Sequence, residues 1–308
     1  MSNTEQIPLF RNIQFFIEYI SLKFIFSIIR IFPLDISANI SAYFWRHLAP
    51  FINKKRHRRA LDNIKIAFPE KTDAERLNIC LEHWENLGRV MAETVQIDKL
   101  IKDQDRITIK PDHVFRRYKD KMGPAIGVSL HMGNWELAIW PFVIANANPA
   151  AVYRSINNPY VDKYLRYLRK DLYPGGLFGR GGVEGNHGES QKTARILTDF
   201  VRHGGRLGLV CDLYDRSGIP IPFFGHLAKT QAIGAIIARR LGCRMWMSTC
   251  HRIGKKSHFI VEILELRVPR TENISDDIRS TMISMQKQFE IWIRQNPEQW
   301  MWSNRRWS

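Results

Sequence analysis

The chain has 308 residues, 44% of them hydrophobic, and a formal net charge of +16. That length suits one large α/β domain with an added N-terminal element rather than two independent domains. A surface this basic calls for an anionic partner: nucleic acid, anionic lipid or an acidic protein. The four cysteines (Cys80, Cys211, Cys243 and Cys250) have neither a C-x-x-C nor a metal-ligand spacing. They read as reduced core thiols, which argues against a disulfide scaffold or a zinc site.

The first element is the apolar stretch Ile13 to Phe32, interrupted by Glu18, Lys23 and Arg30. It lacks the basic start and small-residue cleavage site of a signal peptide. Gln14, Glu18 and Ser21 share one helical face, whereas Lys23, Ser27 and Arg30 fall on nearly the opposite one. Such a segment either crosses a bilayer tilted, lies in the interface with its cations snorkelling, or packs as a helix of the domain itself. Pro33 ends it, and a second apolar helix follows over Ala38 to Leu48. The basic cluster Lys54-Lys-Arg-His-Arg-Arg59 comes next and reads as a contact with an anionic membrane, each charge worth about 1 kcal/mol near the surface. No nucleic-acid recognition motif accompanies it.

Thr72-Asp-Ala-Glu75 is a capping box opening a long helix. Leu77, Leu81, Trp84, Leu87, Met91 and Val95 give that helix a core-facing stripe. Ala125 to Leu130 is a short apolar run with the look of a buried parallel strand. His131 stands where it stops, the address at which open α/β sheets bind ligands. Gly133-Asn134 then breaks the pattern, and Asn134 is expected to cap an apolar helix over Glu136 to Ile144. A turn at Gly133 would let His131 fold back on Glu136, whose carboxylate would steady the imidazole as a general base. The backbone N–H groups of that helix would face a developing oxyanion. His57 and Asp62 repeat the H-x4-[DE] spacing within the basic run, with no strand or glycine break, and read as a solvated helix face.

Ala150 to Arg154 is a second strand, with Arg154 at its end either as a phosphate ligand or as a surface arginine. Val161 to Lys170 is a basic helix. Pro174 to Gly185 fits neither a dinucleotide fingerprint nor a P-loop and reads as a flexible loop, with Arg180 a second phosphate candidate. Arg206 to Cys211 is a third strand ending at Asp212. Arg216 and the rigid, apolar segment Ile219 to Gly225 come after it; proline forbids ladder pairing there, and the segment would wall an apolar groove or simply pack. A helix over Thr230 to Leu241, capped by Thr230, precedes two strands, Arg244 to His251 and His258 to Glu265. Met285 to Arg294 is the last helix. Trp300, Trp302 and Trp307 beside Arg305 and Arg306 suit either a membrane headgroup region or a core.

His131-Met-Gly-Asn-Trp-Glu136 resembles the H-x4-[DE] box of the bacterial lipid A biosynthesis acyltransferases. Arg59-Ala-Leu-Asp-Asn-Ile-Lys-Ile-Ala-Phe-Pro69, Val152-Tyr-Arg154, Pro222-Phe-Phe-Gly225 and Pro297-Glu-Gln-Trp with Asn304-Arg-Arg-Trp307 match the same family in order. Glu136 replaces the commoner Asp, and the segment expected as D-Q-D reads Cys211-Asp212-Leu-Tyr-Asp215. The resemblance implies acyl transfer from acyl-carrier protein to a hydroxyl of a lipid A precursor, at the cytoplasmic face of a bacterial inner membrane. It implies His131 and Glu136 as the catalytic pair, with Asn134, Arg154, Arg180, Asp212 and Arg216 as substrate-binding candidates. The mechanism requires no metal, cofactor or nucleic acid. The expected fold is α/β, a mainly parallel sheet with helices on both faces; residues 1–53 form a helical membrane-associated segment and 54–308 the acyltransferase domain. Two rival readings remain: an acyltransferase acting on a lysophospholipid or glycolipid, and a non-catalytic basic membrane-binding protein.

Overall fold

The computed structural model describes residues 8–120, 123–180 and 187–307, with the side chains of 120, 180 and 187–191 outside the description. A helical N-terminal third comes first: α1 (Leu9–Ile31), α2 (Leu34–Ile52), α3 (Lys54–Ala67), α4 (Asp73–Val95) and the short α5 (Ile97–Lys102). Pro33 separates α1 from α2 because it fixes its own φ and disfavours helix at Phe32, whose ψ is 152°. The Thr72 capping box is formed: the hydroxyl accepts from Glu75 N, and Thr72 N donates to Glu75 Oε2 at 2.7 Å.

The α4 face turned inward carries only part of the expected apolar stripe: Trp84 and Val95 are buried and Leu87 packs on the core. Leu77 and Met91 are exposed, while His83, Asn86, Arg89 and Glu93 are buried beside Ile79, Cys80 and Trp84. A buried polar network joins Asn86 and Glu93 on that face through Arg252. His57, read from sequence as solvated, is half-buried on α3, and its Nδ1 accepts the Trp84 indole N–H at 3.1 Å.

Among the described residues the sheet has seven strands: β1 (Ile107–Lys110), β2 (Ala125–Ser129), β3 (Ala150–Arg154), β4 (Gly176–Arg180), β5 (Arg206–Val210), β8 (Arg244–Arg252) and β9 (Phe259–Leu266). Their spatial order is β1-β9-β8-β2-β5-β3-β4, and every pairing is parallel except β8 with β9. All five residues of β2 are buried, as the apolar run predicted for a central parallel strand. Strand alternation then splits the core in two. Ile126, Val128, Leu207, Leu209, Met245 and Met247 join α3, α4, α9 (His187–Arg202), α10 (Ile233–Leu241) and α11 (Ile274–Gln295) on one face. Ala125, Trp246, Val261 and Ile263 meet α5, α6 (Asp112–Asp120) and α7 (Trp140–Ile144) on the other. Gly127 lets the Phe142 ring approach β2 closely, since a Cβ there would sit 3.1 Å from it.

Three segments differ from expectation. β6 (Tyr214–Phe223) and β7 (His226–Thr230) form an antiparallel hairpin through the Pro220-Ile-Pro222 run. Both prolines have the same parity, so their missing N–H groups fall on the edge away from β7, where no ladder bond is lost. The hairpin places Thr230 at the end of β7, and α10 starts at Ile233 without the Thr230 cap. The Pro174 to Gly185 stretch supplies edge strand β4, paired with β3 over Ala150↔Gly176 to Arg154↔Arg180; Gly181, Gly182 and Gly185 lie outside the described residues.

The C-terminal tail belongs to the core and not to a headgroup layer. Trp300 is 2% exposed, Trp302 0% and Arg306 1%. Asn63, from the Arg59 to Pro69 segment, donates to the Trp302 and Asn304 carbonyls at 2.8 and 2.9 Å. Arg306 donates to Thr230 Oγ1 and Gln286 Oε1, both at 2.9 Å.

Candidate active site

Parallel pairing of β2 with β5 runs to Ser129↔Val210, and one further bond, Cys211 N to Ser129 O at 2.9 Å, carries the two chains past the sheet edge together. His131 and Asp212 come directly after. The register therefore forces the two side chains into contact, though 81 residues separate them. His131 N donates to Asp212 Oδ2 at 2.8 Å, and the ring Nδ1 meets Oδ1 at 2.8 Å. Because an ionised carboxylate only accepts, Nδ1 carries the proton in that bond, and in the neutral ring Nε2 then bears the lone pair. The Trp300 indole N–H completes the cage on Oδ2 at 2.7 Å. Burial drives the Asp212 carboxyl up; the His131 ring, its two hydrogen bonds and the Trp300 indole outweigh that and hold it below the usual carboxylate range. The His131 side chain is 17% exposed and that of Asp212 1%. A mostly buried imidazole oriented in this way is the arrangement a general base needs.

The turn after His131 is braced from beneath. Gly133 has φ +56°, and a Cβ there would lie 2.0 Å from the Cys250 carbonyl oxygen, so only glycine fits. Gly133 N donates to Gln299 O at 3.0 Å and Met301 N to His131 O at 2.9 Å. Asn134 stands before the 3-10 turn but its side chain makes no capping bond. It is fully buried, and its amide donates to Glu93 Oε2 at 3.0 Å. Glu93 is in turn ion-paired with Arg252, whose Nη2 donates to Oε2 at 2.9 Å, and accepts from Ser257 Oγ at 2.7 Å. This is the network that keeps polar residues on the inner face of α4.

Glu136 does not reach the imidazole. The residues after Asn134 form a 3-10 turn over Trp135–Ile139, not the first turn of an α-helix, and α7 begins only at Trp140. The carboxylate instead pairs with Arg169 at 2.7 Å and accepts from the Tyr173 hydroxyl at 3.4 Å. Glu136 raises the Arg169 guanidinium further above its already high range, and burial raises the Tyr173 phenol well above 10. The pair ties the H-x4-E turn to the end of α8 (Pro159–Leu168). The expected helix N-terminus is thus a 3-10 turn that continues directly into α7.

Arg154 is exposed at the carboxyl end of β3, and the backbone of Arg180 ends β4 beside it, its side chain outside the description. Both strands run parallel to β2, so the two arginines stand at the same end of the sheet as His131. Arg216 is exposed on β6, where its carbonyl accepts from Lys229 Nζ at 3.5 Å. Among the described residues no group of three or more His, Cys, Asp or Glu could hold a metal. Sequence reasoning placed Asp212 at a strand end but did not pair it with His131, and it missed Arg169, Tyr173 and Trp300. Only the order of strands in the sheet reveals these contacts.

The family model described as bacterial lipid A biosynthesis acyltransferase matches residues 4–308, nearly the whole chain. No curated protein matches it.

Proposed function

The chain belongs to the bacterial lipid A biosynthesis acyltransferases, and from that premise we propose that it moves a fatty acyl group from acyl-carrier protein onto a hydroxyl of a lipid A precursor. The observation that carries the mechanism is the His131 Nδ1–Asp212 Oδ1 bond of 2.8 Å at the carboxyl ends of neighbouring strands. His131 Nε2 takes the proton of the acceptor hydroxyl as its oxygen bonds to the thioester carbonyl carbon. The carbon–sulfur bond then breaks, and the imidazolium returns the proton to the departing thiolate. Asp212, in place of Glu136, fixes the tautomer and stabilises the imidazolium. Glu136 acts by holding Arg169. Arg154, Arg180 and Arg216 supply cations for phosphates of the acceptor or of the carrier's phosphopantetheine.

The protein works on the cytoplasmic face of the inner membrane. α1 is long and apolar enough to cross a bilayer, and only 6% of its most apolar window is buried. Two attachments argue that it lies in the interface instead. Glu18 Oε2 accepts from Asn158 at 2.9 Å, and Arg30 pairs with Asp98 at 2.7 Å. Those residues are about 18 Å apart along the helix, so much of its length rests on the catalytic body. Ile36, Ile40, Tyr43, Phe44, Leu48 and Phe51 extend the exposed apolar surface along α2. Lys54, Lys55, Arg56 and Arg58 stand exposed just beyond, toward anionic headgroups.

Mass spectrometry of lipid A from a deletion strain tests the activity. A species lighter by one acyl chain, restored by the gene, is expected. Unchanged lipid A with an altered phospholipid would instead assign a different acceptor.

A further inference from the structure

We propose that Trp300 is a positioning residue for acyl transfer: its indole N–H, bonded to Asp212 Oδ2, sets the orientation and proton affinity of the His131–Asp212 pair. The inference rests on the reading of that pair as the acid–base machinery.

The Asp212 carboxylate has two oxygens and three donors around it. Oδ1 faces the imidazole, whereas Oδ2 takes both the His131 backbone N–H at 2.8 Å and the Trp300 indole at 2.7 Å. Without the indole, Asp212 could rotate about its Cβ–Cγ bond and offer the imidazole a different oxygen or angle. Trp300 itself has no such freedom. It is 2% exposed, its ring packs edge-on against Trp302 at 4.5 Å and against Phe223 at 5.7 Å, and its backbone bridges Met132. Its neighbours Gln299 and Met301 bond the backbone of Gly133 and His131. The C-terminal tail is therefore a strap that grips both members of the pair, through backbone on the His131 side and through one indole on the Asp212 side.

Among the described residues the charged or titratable groups around Asp212 are few. His131 faces it from the β2 loop, Cys211 adjoins it just past β5, and Arg306 acts on it from the tail, while His83 on α4 touches the Trp300 carbonyl. Burial pushes the Cys211 thiol up to about 12, so it carries no charge at working pH. The indole is thus a neutral donor that draws charge from Oδ2 and weakens the carboxylate's hold on a proton shared with His131. Removing it makes the pair bind a proton more tightly, whichever partner holds it.

The test uses the full-length protein, acyl-carrier thioester donor and lipid A precursor, with Trp300→Phe. The expected result is a kcat lowered roughly 10–100-fold with KM little changed, and an acidic limb of the kcat profile moved up by about one pH unit. Because phenylalanine loses volume as well as the donor, a second variant carries 3-benzothienylalanine at position 300, which keeps the bicyclic shape and lacks the N–H. It should show the same shift. Unchanged kcat and pH limb in both variants, or a lower kcat with no shift of the limb, would overturn the proposal. His131→Ala and Asp212→Asn serve as references: if both keep full activity, the acid–base reading itself has failed, whereas if both are inactive a failure belongs to Trp300 alone.

Discussion

At the scale of single residues, the proposed chemistry turns on which carboxylate serves His131. Asp212→Asn keeps the shape but turns an amide toward Nδ1, losing both the charge and the tautomer. It should lower kcat about 10²–10⁴-fold while the fold survives. Glu136→Gln should act differently, leaving a mostly buried Arg169 without its ion partner and lowering stability by about 3 kcal/mol at most, as denaturant titration would show. A mutant that lost activity but no stability would return Glu136 to the imidazole. His83 gives a separate, pH-linked prediction. Burial drives its pKa down from 6.5 to about 3, so in that interval the unfolded chain binds a proton that the folded chain refuses. Stability should fall by about 1.4 kcal/mol per unit on acidification below 6.5, and His83→Gln should flatten thermal melting against pH. A pH slope identical to the parent's would contradict this. His131 was legible in the sequence because a strand end followed by Gly-Asn is a local signal. Its partner was not, since the contact depends on β5 lying beside β2 and no local pattern encodes that order.

At the scale of elements, the tail is the clearest case of sequence pattern misleading by composition. Tryptophan beside arginine suits headgroups and cores equally, and only the buried partners Asn63, Thr230 and Gln286 decide it. Trp302→Ala should therefore cost about 3–5 kcal/mol in chemical denaturation, whereas a headgroup role would leave stability untouched and weaken vesicle binding. The central strands β2, β3, β5, β8 and β9 were legible from short apolar runs bounded by breaks. The β6–β7 hairpin was not, because two prolines in one strand normally argue against pairing; equal parity removes the objection here. The 3-10 turn after Asn134 was also hidden, since its residues are as apolar as a helix. The charges in α1 find their reason in packing between elements. Glu18 and Arg30 bond the body, so deleting residues 1–32 should both weaken membrane binding and expose α8. The truncated protein should still bind anionic vesicles at low salt and leave them at high salt; salt-indifferent binding would rule out the α3 cations.

At the scale of the whole molecule, composition already pointed to anionic partners, and the α/β class followed from alternating strand and helix signals. Chain order within the sheet, and so the site, required the structure. The +16 charge should steer an acidic carrier protein. Its second-order rate should fall steeply once salt shortens the Debye length to about 10 Å, more than the rate with an acyl-coenzyme A donor. Equal salt dependence for both donors would rule out carrier steering. The most direct measurement is in vitro transfer by the purified full chain, followed by mass spectrometry of the lipid A precursor, with parent and His131→Ala compared at equal folded concentration. The parent should add one acyl chain, and the variant should do so at least about 10²-fold more slowly. Transfer by folded His131→Ala at near the parent rate would contradict the central claim.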